Sequence, residues 1–337
     1  MKKKYSAKDI AEKLGISIST VSRAIRDSHD VSAETRKKVL ELAHKLKFKP
    51  NKNASALASG ATMNIGVVLP FITNYYFSTV ISGIQDEAYR QGYNIILYVT
   101  NDDKEKERDL LENMDVSMLD GLLISISSNT IMQDHFEKLL EDGLPIVFFD
   151  KVPAEIKASK VVQNDFEGAY SATKHLIDCG YTKIAHIAGP RHLSFTRLRL
   201  NGYLRALKRF RIPYREEYII HSGFSQENGF DDTLKLLALR DPPNAIFAVN
   251  DRKGVGAILA LKKMHISVGT SFGVIGFTND PISTIVEPNL STIEEPAFEI
   301  GKQSCFLLIK HIKYKNYEIE NNILSGKLIA RASAKTV

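Results

Sequence analysis

Apolar residues recur at helical spacing from Ile10 to Leu46 and in short strand-like runs after Met63, so the chain divides early. Ile10, Ala11 and Leu14 share one face of a short helix that stops at Leu14-Gly15. Ser17 can cap a second helix whose stripe is Val21, Ala24 and Ile25, and Val31-Ser32-Ala33 opens a third with Val39, Leu42, Ala43 and Leu46 inward. Pro50 stops that helix, Asn51 can cap a new one, and Gly60 ends it two turns later. So short a helix is marginal alone and is expected to form only against a partner. From residue 65 the period changes. Apolar runs at 65–69, 95–99, 121–124, 145–149, 160–163, 184–187, 245–249 and 272–276 alternate with amphipathic helices near 77–91, 104–113, 131–142, 166–179, 195–210, 226–238, 251–264 and 296–311. That alternation predicts parallel sheets covered on both faces, with too many units for one sheet. Pro145-Ile146-Val147-Phe148-Phe149-Asp150 echoes Ala245-Ile246-Phe247-Ala248-Val249-Asn250-Asp251, which predicts two similar α/β lobes with a cleft between them.

Charge sharpens the division. Residues 1–60 hold 14 Lys/Arg against 6 Asp/Glu, whereas the other 277 hold 31 against 33. A basic head on a near-neutral body is the footprint of a polyanion-binding module, a nucleic acid before a membrane surface. The length of 337 residues fits two to three domains at about 150 residues each. Cys179 and Cys305, the two cysteines, cannot make a disulfide framework or a Cys-rich zinc site, and buried free thiols are expected. Apolar runs stay far below the roughly 18 residues of a membrane span. Met1-Lys2-Lys3-Lys4 imitates a signal n-region, but Tyr5-Ser6-Ala7-Lys8-Asp9 follows in place of an apolar core. A cytoplasmic protein with no membrane partner is the expectation.

Within the head, Ala11, Gly15 and Val21 are spaced as in a helix-turn-helix: a small residue for the crossing, a glycine for the turn, a branched residue in the second helix. Ile18, Ser19, Ser22, Arg23 and Arg26 remain on the outer face of that second helix, where hydroxyls and arginines suit a major-groove reader. In the segment after Pro50, Leu57 is the lone large apolar group, and beside a DNA-binding head it suggests a minor-groove wedge.

These segments resemble the head and hinge of the LacI/GalR family of bacterial transcription regulators: Asp9-Ile10-Ala11, Gly15-Ile16-Ser17, Thr20-Val21-Ser22-Arg23, Val31-Ser32-Ala33-Glu34-Thr35-Arg36, Pro50-Asn51 and Leu57-Ala58. The resemblance implies that Ile18, Ser19 and Arg23 read base edges, that Leu57 kinks the operator centre, and that Ser17, Thr35 and Asn51 contact phosphates or set helix ends. Thr20 and Ala54, inside the head and hinge stretches, go with the same DNA-contact set. Ile18 cannot hydrogen-bond a base, so it would read a thymine methyl or exclude partners. The implied fold is an all-α helix-turn-helix head (residues 1–50) with a hinge helix (51–60), followed by an α/β two-lobed periplasmic-binding-protein-like body (61–337). Lobe 1 would span about 61–160 and 291–320, lobe 2 about 161–290 and 321–337.

Ligands on such sheets bind beyond the C-terminal strand ends. Polar groups found there are Asn74, Asp150, Asn164, Asp165, Asn250, Asp251, Thr278 and Asn279. At 100° per residue Phe195, Gly202, Ala206 and Phe210 form one stripe; Arg199 falls within about 40° of it and Arg197 on the opposite side. An inward arginine needs a partner: vicinal hydroxyls or a carboxylate of a ligand, or a buried ion pair with an aspartate such as Asp251. The resemblance implies that Arg199, before Gly202-Tyr203, holds the effector together with Asp150 and Asn250, and that aromatics among Phe71, Tyr75, Tyr76 and Phe77 stack on it. The sequence departs from sugar-binding relatives in carrying Thr278 where they carry Asp, and Glu295 where they carry Gln. A neutral pyranose or furanose is the default effector, with phosphorylated, acidic and nucleobase-like ligands left open.

Gly254-Val255-Gly256 follows a strand but lacks the third glycine or alanine of a dinucleotide fingerprint, since Leu259 stands there, and helix packing is the better account. The histidines show no metal-ligand spacing, and no nucleophile with a plausible base is found in sequence context. No cofactor, metal or catalytic residue is expected. The expected function is a homodimeric, ligand-responsive repressor of carbohydrate-utilisation genes on a pseudo-palindromic double-stranded DNA operator. A corepressor-dependent repressor or an activator answering a non-sugar metabolite is the alternative. A sugar-binding receptor would lack the head, and a Rossmann-like enzyme would need a fingerprint that is missing.

Overall fold

The computed structural model describes residues 5–25, 30–48, 61–153, 155–314 and 317–335, and the chain forms two compact units, Met1–Thr62 and Met63–Val337. In the first, α1 (Ala7–Leu14) begins with a capping box between Ser6 and Asp9 and ends at Gly15, whose φ of 62° is the left-handed turn that the sequence places between the helices. Next come α2 (Ile18–Ile25) and α3 (Ala33–Lys45), the latter capped by Ser32. Ile10, Ala11, Val21, Ala24 and Val39 close the core, with Leu14, Leu42 and Leu46 half-buried against it. The hinge segment 51–60, with Asn51, Ala54 and Leu57, lies outside the described residues, as does Arg26.

The second unit runs β1 (Asn64–Leu69), α4 (Tyr75–Arg90), β2 (Asn94–Val99), α5 (Lys104–Asn113), β3 (Gly121–Ile124), α6 (Asp134–Glu141), β4 (Ile146–Phe149) and β5 (Ser159–Gln163). It continues with α7 (Asp165–Asp178), β6 (Ile184–Ala188), α8 (Ser194–Arg209), β7 (Ile219–His221), α9 (Gln226–Leu237), β8 (Ala245–Ala248), α10 (Asp251–Lys263), β9 (Gly273–Ile275) and the single turn α11 (Ile282–Ile285). The last elements are β10 (Thr292–Glu294), α12 (Ala297–Lys313), β11 (Asn321–Leu324) and β12 (Lys327–Ile329).

Two parallel sheets result, one ordered β11-β5-β4-β3-β1-β2 and the other β7-β6-β8-β9. Alternate residues of the strands feed opposite faces. In the first sheet Val67, Leu69 and Phe149 pack against α4 and α12, while Val68, Leu122 and Phe148 pack against Phe136 and Leu139 of α6. The second sheet is covered likewise, by α7 and α8 on one face and α9 and α10 on the other. The close approach of α9 to α10 accounts for Gly256, where a Cβ would lie 2.0 Å from the Gln226 carbonyl oxygen, while one at Gly254 would lie 2.9 Å from the Leu290 side chain. Gly256 serves helix packing, as the sequence suggests, and Gly254 lets α10 close on Leu290 and β8.

Both β5 and β11 belong to the first sheet, so the chain crosses between lobes after Gln163 and after Leu324, a few residues beyond 160 and 320. The other crossing passes through β10, which pairs antiparallel with β12. Four strands escaped the sequence reading, β7, β10, β11 and β12. Each has only three or four residues, and none is fully buried on both faces.

Candidate functional site

The head presents α2. Ser17 Oγ accepts from Thr20 N (3.0 Å) and shares hydroxyl contacts with Ser19 and Thr20, so it sets the start of that helix. Ile18 is 51% exposed, and Ser19 and Arg23 are also exposed; Ser22 and Thr20 are half-buried. Such exposure of an isoleucine on the first turn leaves it free to meet another surface. Thr35 sits at the start of α3, its N–H donating to Ser32 Oγ at 3.3 Å.

In the body, the C-terminal ends of the two sheets face each other across a cavity of about 440 Å³. Phe71, Asn74, Tyr76, Phe77, Asp150 and Glu295 line it from the first lobe and its crossover, Arg199, Asn250 and Thr278 from the second. Asp165 does not line the cavity but stands behind Arg199 and orients it. The guanidinium donates Nε to Asp165 Oδ1 (2.7 Å), Nη1 to the Val249 carbonyl (2.6 Å) and Nη2 to Glu295 Oε1 (2.8 Å). Its face lies 3.6 Å from the Phe277 ring centre. Arg197 is exposed and, among the described residues, its side chain bonds the His192 carbonyl. The buried ion pair therefore exists, with Asp165 and Glu295 rather than with Asp251.

Asn74 and Asn250 double as helix caps. Asn74 Oδ1 accepts from Tyr76 N, and Asn250 Oδ1 from Lys253 N, both at 2.9 Å. Asn250 Nδ2 also reaches the Phe224 carbonyl at 3.1 Å, which leaves it one free N–H. Asp150, Thr278 and Asn279 stand at strand ends with φ of 58°, 125° and 60°; the strain holds Asp150 and Thr278 into the cleft, whereas Asn279 turns away to bond Glu294 and Arg331.

Burial governs the electrostatics. It raises the Asp150 and Asp165 carboxyls to about 6, against the pull of Lys151 on the first and Arg199 on the second. Asp251 rises to about 7 and Glu295 also upward, again through burial. The Tyr76 hydroxyl is buried without a hydrogen-bond partner, and burial together with Asp150 lifts it well above its usual range.

Several lining residues were not foreseen: Asp102, Ser128, Lys151, Phe195, Phe224, Arg252 and Asp280 among them. Lys151 Nζ bonds Asp102 Oδ1 and Ser128 Oγ, each at 2.7 Å. Asp102 and Ser128 follow the ends of β2 and β3, so applying the strand-end rule to every strand finds them. Phe224 follows β7, which the sequence reading missed, and its ring stacks on Phe195 at 5.7 Å.

Among the described residues no group of three or more His, Cys, Asp or Glu could hold a metal ion, and no helix is long and apolar enough to cross a membrane. Cys179 and Cys305 are buried thiols.

A helix-turn-helix head joined to two lobes around a polar cleft defines a ligand-responsive DNA-binding regulator. Residues 6–51 match the family described as bacterial regulatory proteins, lacI family, and residues 173–334 a periplasmic binding protein-like domain. The chain is 32% identical over 332 residues to the HTH-type transcriptional repressor PurR of Mannheimia succiniciproducens, covering 98% of each. It is 31% identical over 328 residues to catabolite control protein A of Priestia megaterium, covering 97% of this chain and 98% of that one. Among solved structures, the lac repressor dimer bound to operator and the anti-inducer ONPF superposes with a TM-score of 0.86 at 25% identity, over 99% of this chain and 100% of that one. A LacI-family regulator from Enterococcus faecium with bound ribose gives 0.70 at 28%, over 81% and 99%. The chain belongs to the LacI family of bacterial regulatory proteins, and it is a DNA-binding transcriptional regulator whose body binds an effector.

Proposed function

We propose that the protein is a homodimeric repressor on a pseudo-palindromic operator, with operator affinity set by a sugar or sugar derivative held in the cleft. The observation that carries this is Arg199, buried, lining the cavity and flanked by carboxylates and aromatic rings. Hydroxyls that both donate and accept match such a surface, and the aromatic walls suit the apolar faces of a sugar ring. The ribose-bound relative and the ONPF-bound lac repressor dimer support a sugar-like ligand and a dimer. Ile18, Ser19 and Arg23 read base edges in the major groove, Ser17, Thr20, Ser22, Arg26 and Thr35 support them, and residues 51–60 form the hinge with Leu57 as the wedge. The ligand acts by favouring one arrangement of the lobes, and its relative affinity for the two arrangements fixes inducer or corepressor behaviour.

The test is a thermal-shift screen of the full chain against sugars, sugar derivatives, nucleobases and small acids. A ligand at 100 times its Kd stabilises the body by about 2.7 kcal/mol. The expected hit loses its shift in Arg199→Ala, and titration into an operator-binding assay then gives the sign of regulation. A shift unchanged in Arg199→Ala removes this cleft as the site. Leu57→Ala is expected to weaken specific operator binding far more than nonspecific binding; equal losses contradict the wedge.

A further inference from the structure

Among the described residues, each buried cation on the cleft wall is already answered by a carboxylate of this chain. Arg199 is 5% exposed and holds Asp165 and Glu295; Lys151 is 9% exposed and holds Asp102. A bare arginine would grip a phosphate or carboxylate through two parallel N–H bonds. Here the side-on Nε–Nη2 edge is filled, Nε by Asp165 and Nη2 by Glu295, Nη1 is held by the Val249 carbonyl, and an anion on the remaining end-on pair would share Nη2 with the Glu295 carboxylate. Of the five guanidinium N–H groups, one on each Nη remains.

We propose that Glu295 and Asp165, by occupying that edge of Arg199, make the cleft select against anions, so that the effector is a hydroxyl-rich molecule without negative charge rather than a sugar phosphate, a uronic acid or another small acid. This deepens the sugar reading and rests on the cleft being the effector site. A hydroxyl accepting from the free N–H groups of Arg199 can donate its own O–H in a hydrogen bond to Glu295 or Asp150; a carboxylate or phosphate there brings a second negative charge beside carboxylates that already answer Arg199. Asp102, Asp150, Asp251, Asp280 and Glu295 face the cavity against Lys151, Arg199 and the exposed Arg252. The raised carboxyls of Asp150, Asp165 and Glu295 agree, since negative charge is already costly at this wall. The Tyr76 hydroxyl, 94% buried by its 6% exposure and unpartnered, offers a ligand hydroxyl one more bond. A glutamine at 295 would leave Arg199 facing a single carboxylate, so Glu295 is the specificity-determining residue.

Inorganic phosphate is the probe, titrated against chloride at matched ionic strength while the melting temperature of the full chain is followed. In the unaltered protein no phosphate-specific rise is expected that depends on Arg199; a rise that persists in Arg199→Ala comes from the basic head and accords with an anion-free cleft. Glu295→Gln, which keeps shape and one acceptor, is expected to gain a phosphate-specific rise that Arg199→Ala removes, and Asp165→Asn is expected to act in the same direction. An Arg199-dependent rise in the unaltered protein overturns the inference, and so does a Glu295→Gln variant no more responsive than its parent. Direct titration with matched neutral, amino, uronic and phosphorylated hexoses separates the two readings. An acidic form binding about tenfold tighter than its neutral counterpart sinks charge selection but keeps the effector cleft. A panel without any binder counts against a hexose effector and leaves the phosphate result to decide the inference.

Discussion

Asp251 is the first residue of α10 and is 1% exposed, with Oδ1 accepting from Thr292 Oγ1 at 2.6 Å and Oδ2 from Asp280 N at 2.8 Å. These bonds suit the ionised form, yet burial outweighs them and lifts the carboxyl from 3.8 to about 7. A pKa raised on folding means that the native state holds its proton longer than the unfolded chain does. The associated stability is present in full below pH 4 and is lost as pH rises through 7, by about 4 kcal/mol for a shift of this size. Asp150 and Asp165, raised to about 6, add to the same fall at lower pH. Stability of the body is therefore expected to decline from about pH 4 to about pH 7 and to level off above it, and Asp251→Asn to flatten the upper part of that decline. Parallel melting-temperature profiles for parent and variant would show that Asp251 is not the group responsible. This behaviour is invisible in the sequence, where Asn250-Asp251 reads only as a polar strand end.

Elements impose their own accounts. Lys253 on α10 is fully buried and donates to Asp232 on α9 (2.8 Å), Ser222 (2.7 Å) and the Ala188 carbonyl at the end of β6 (2.9 Å), so it ties helix to helix and helix to sheet. Lys253→Ala leaves Asp232 buried without its strongest partner and is expected to cost about 3–5 kcal/mol, read by urea unfolding; a loss under about 1 kcal/mol would mean that Lys235, 3.5 Å from Asp232, takes over. On α2, Arg23 is exposed and, among the described residues, its side chain bonds the Ser19 carbonyl at 3.4 Å. Arg23→Ala is expected to leave the head folded while lowering specific operator binding by about 1–3 kcal/mol. Equal losses on operator and random DNA would instead make Arg23 a phosphate contact. The contrast shows what the sequence exposes. Long apolar runs such as 65–69 and 145–149 declare themselves because both faces of a parallel strand are covered. By contrast, β11, Asn321-Asn322-Ile323-Leu324, lies at a sheet edge with alternate exposure and carries no comparable run. Arg199 was legible because helical phase puts it inward; Lys253, just as buried, follows no such cue, since Ser222 follows β7, which the sequence pattern left blank, and Asp232 comes from the neighbouring helix α9.

At the scale of the whole body the lobes meet in places other than the crossovers. His192, on the turn before α8, contacts the carbonyl of Ser128 on the opposite lobe at 2.8 Å, and because a carbonyl only accepts, Nε2 carries the proton. Ser128 is itself fixed on its own lobe: its N–H donates to Asp102 Oδ1 at 2.8 Å, and its hydroxyl receives Lys151. Glu107 accepts from the neighbouring Ser127 N and from Thr130 Oγ1, so the segment 127–130 is a firm anchor for a bond arriving from across the cleft. One such bond contributes about 0.5–1.5 kcal/mol, enough to tilt a two-state lobe equilibrium without fixing it. His192→Ala should thus favour separated lobes and weaken effector binding about two- to tenfold, measured by calorimetric titration. Linkage then constrains the sign of a second measurement. A ligand that draws the lobes together and a substitution that releases them push operator affinity in opposite directions. If the effector weakens operator binding, ligand-free His192→Ala binds operator at least as tightly as its parent; if the effector strengthens it, the variant binds operator more weakly. A variant that moves operator affinity in the same direction as the effector would show that the His192–Ser128 bond does not report on the state the ligand selects.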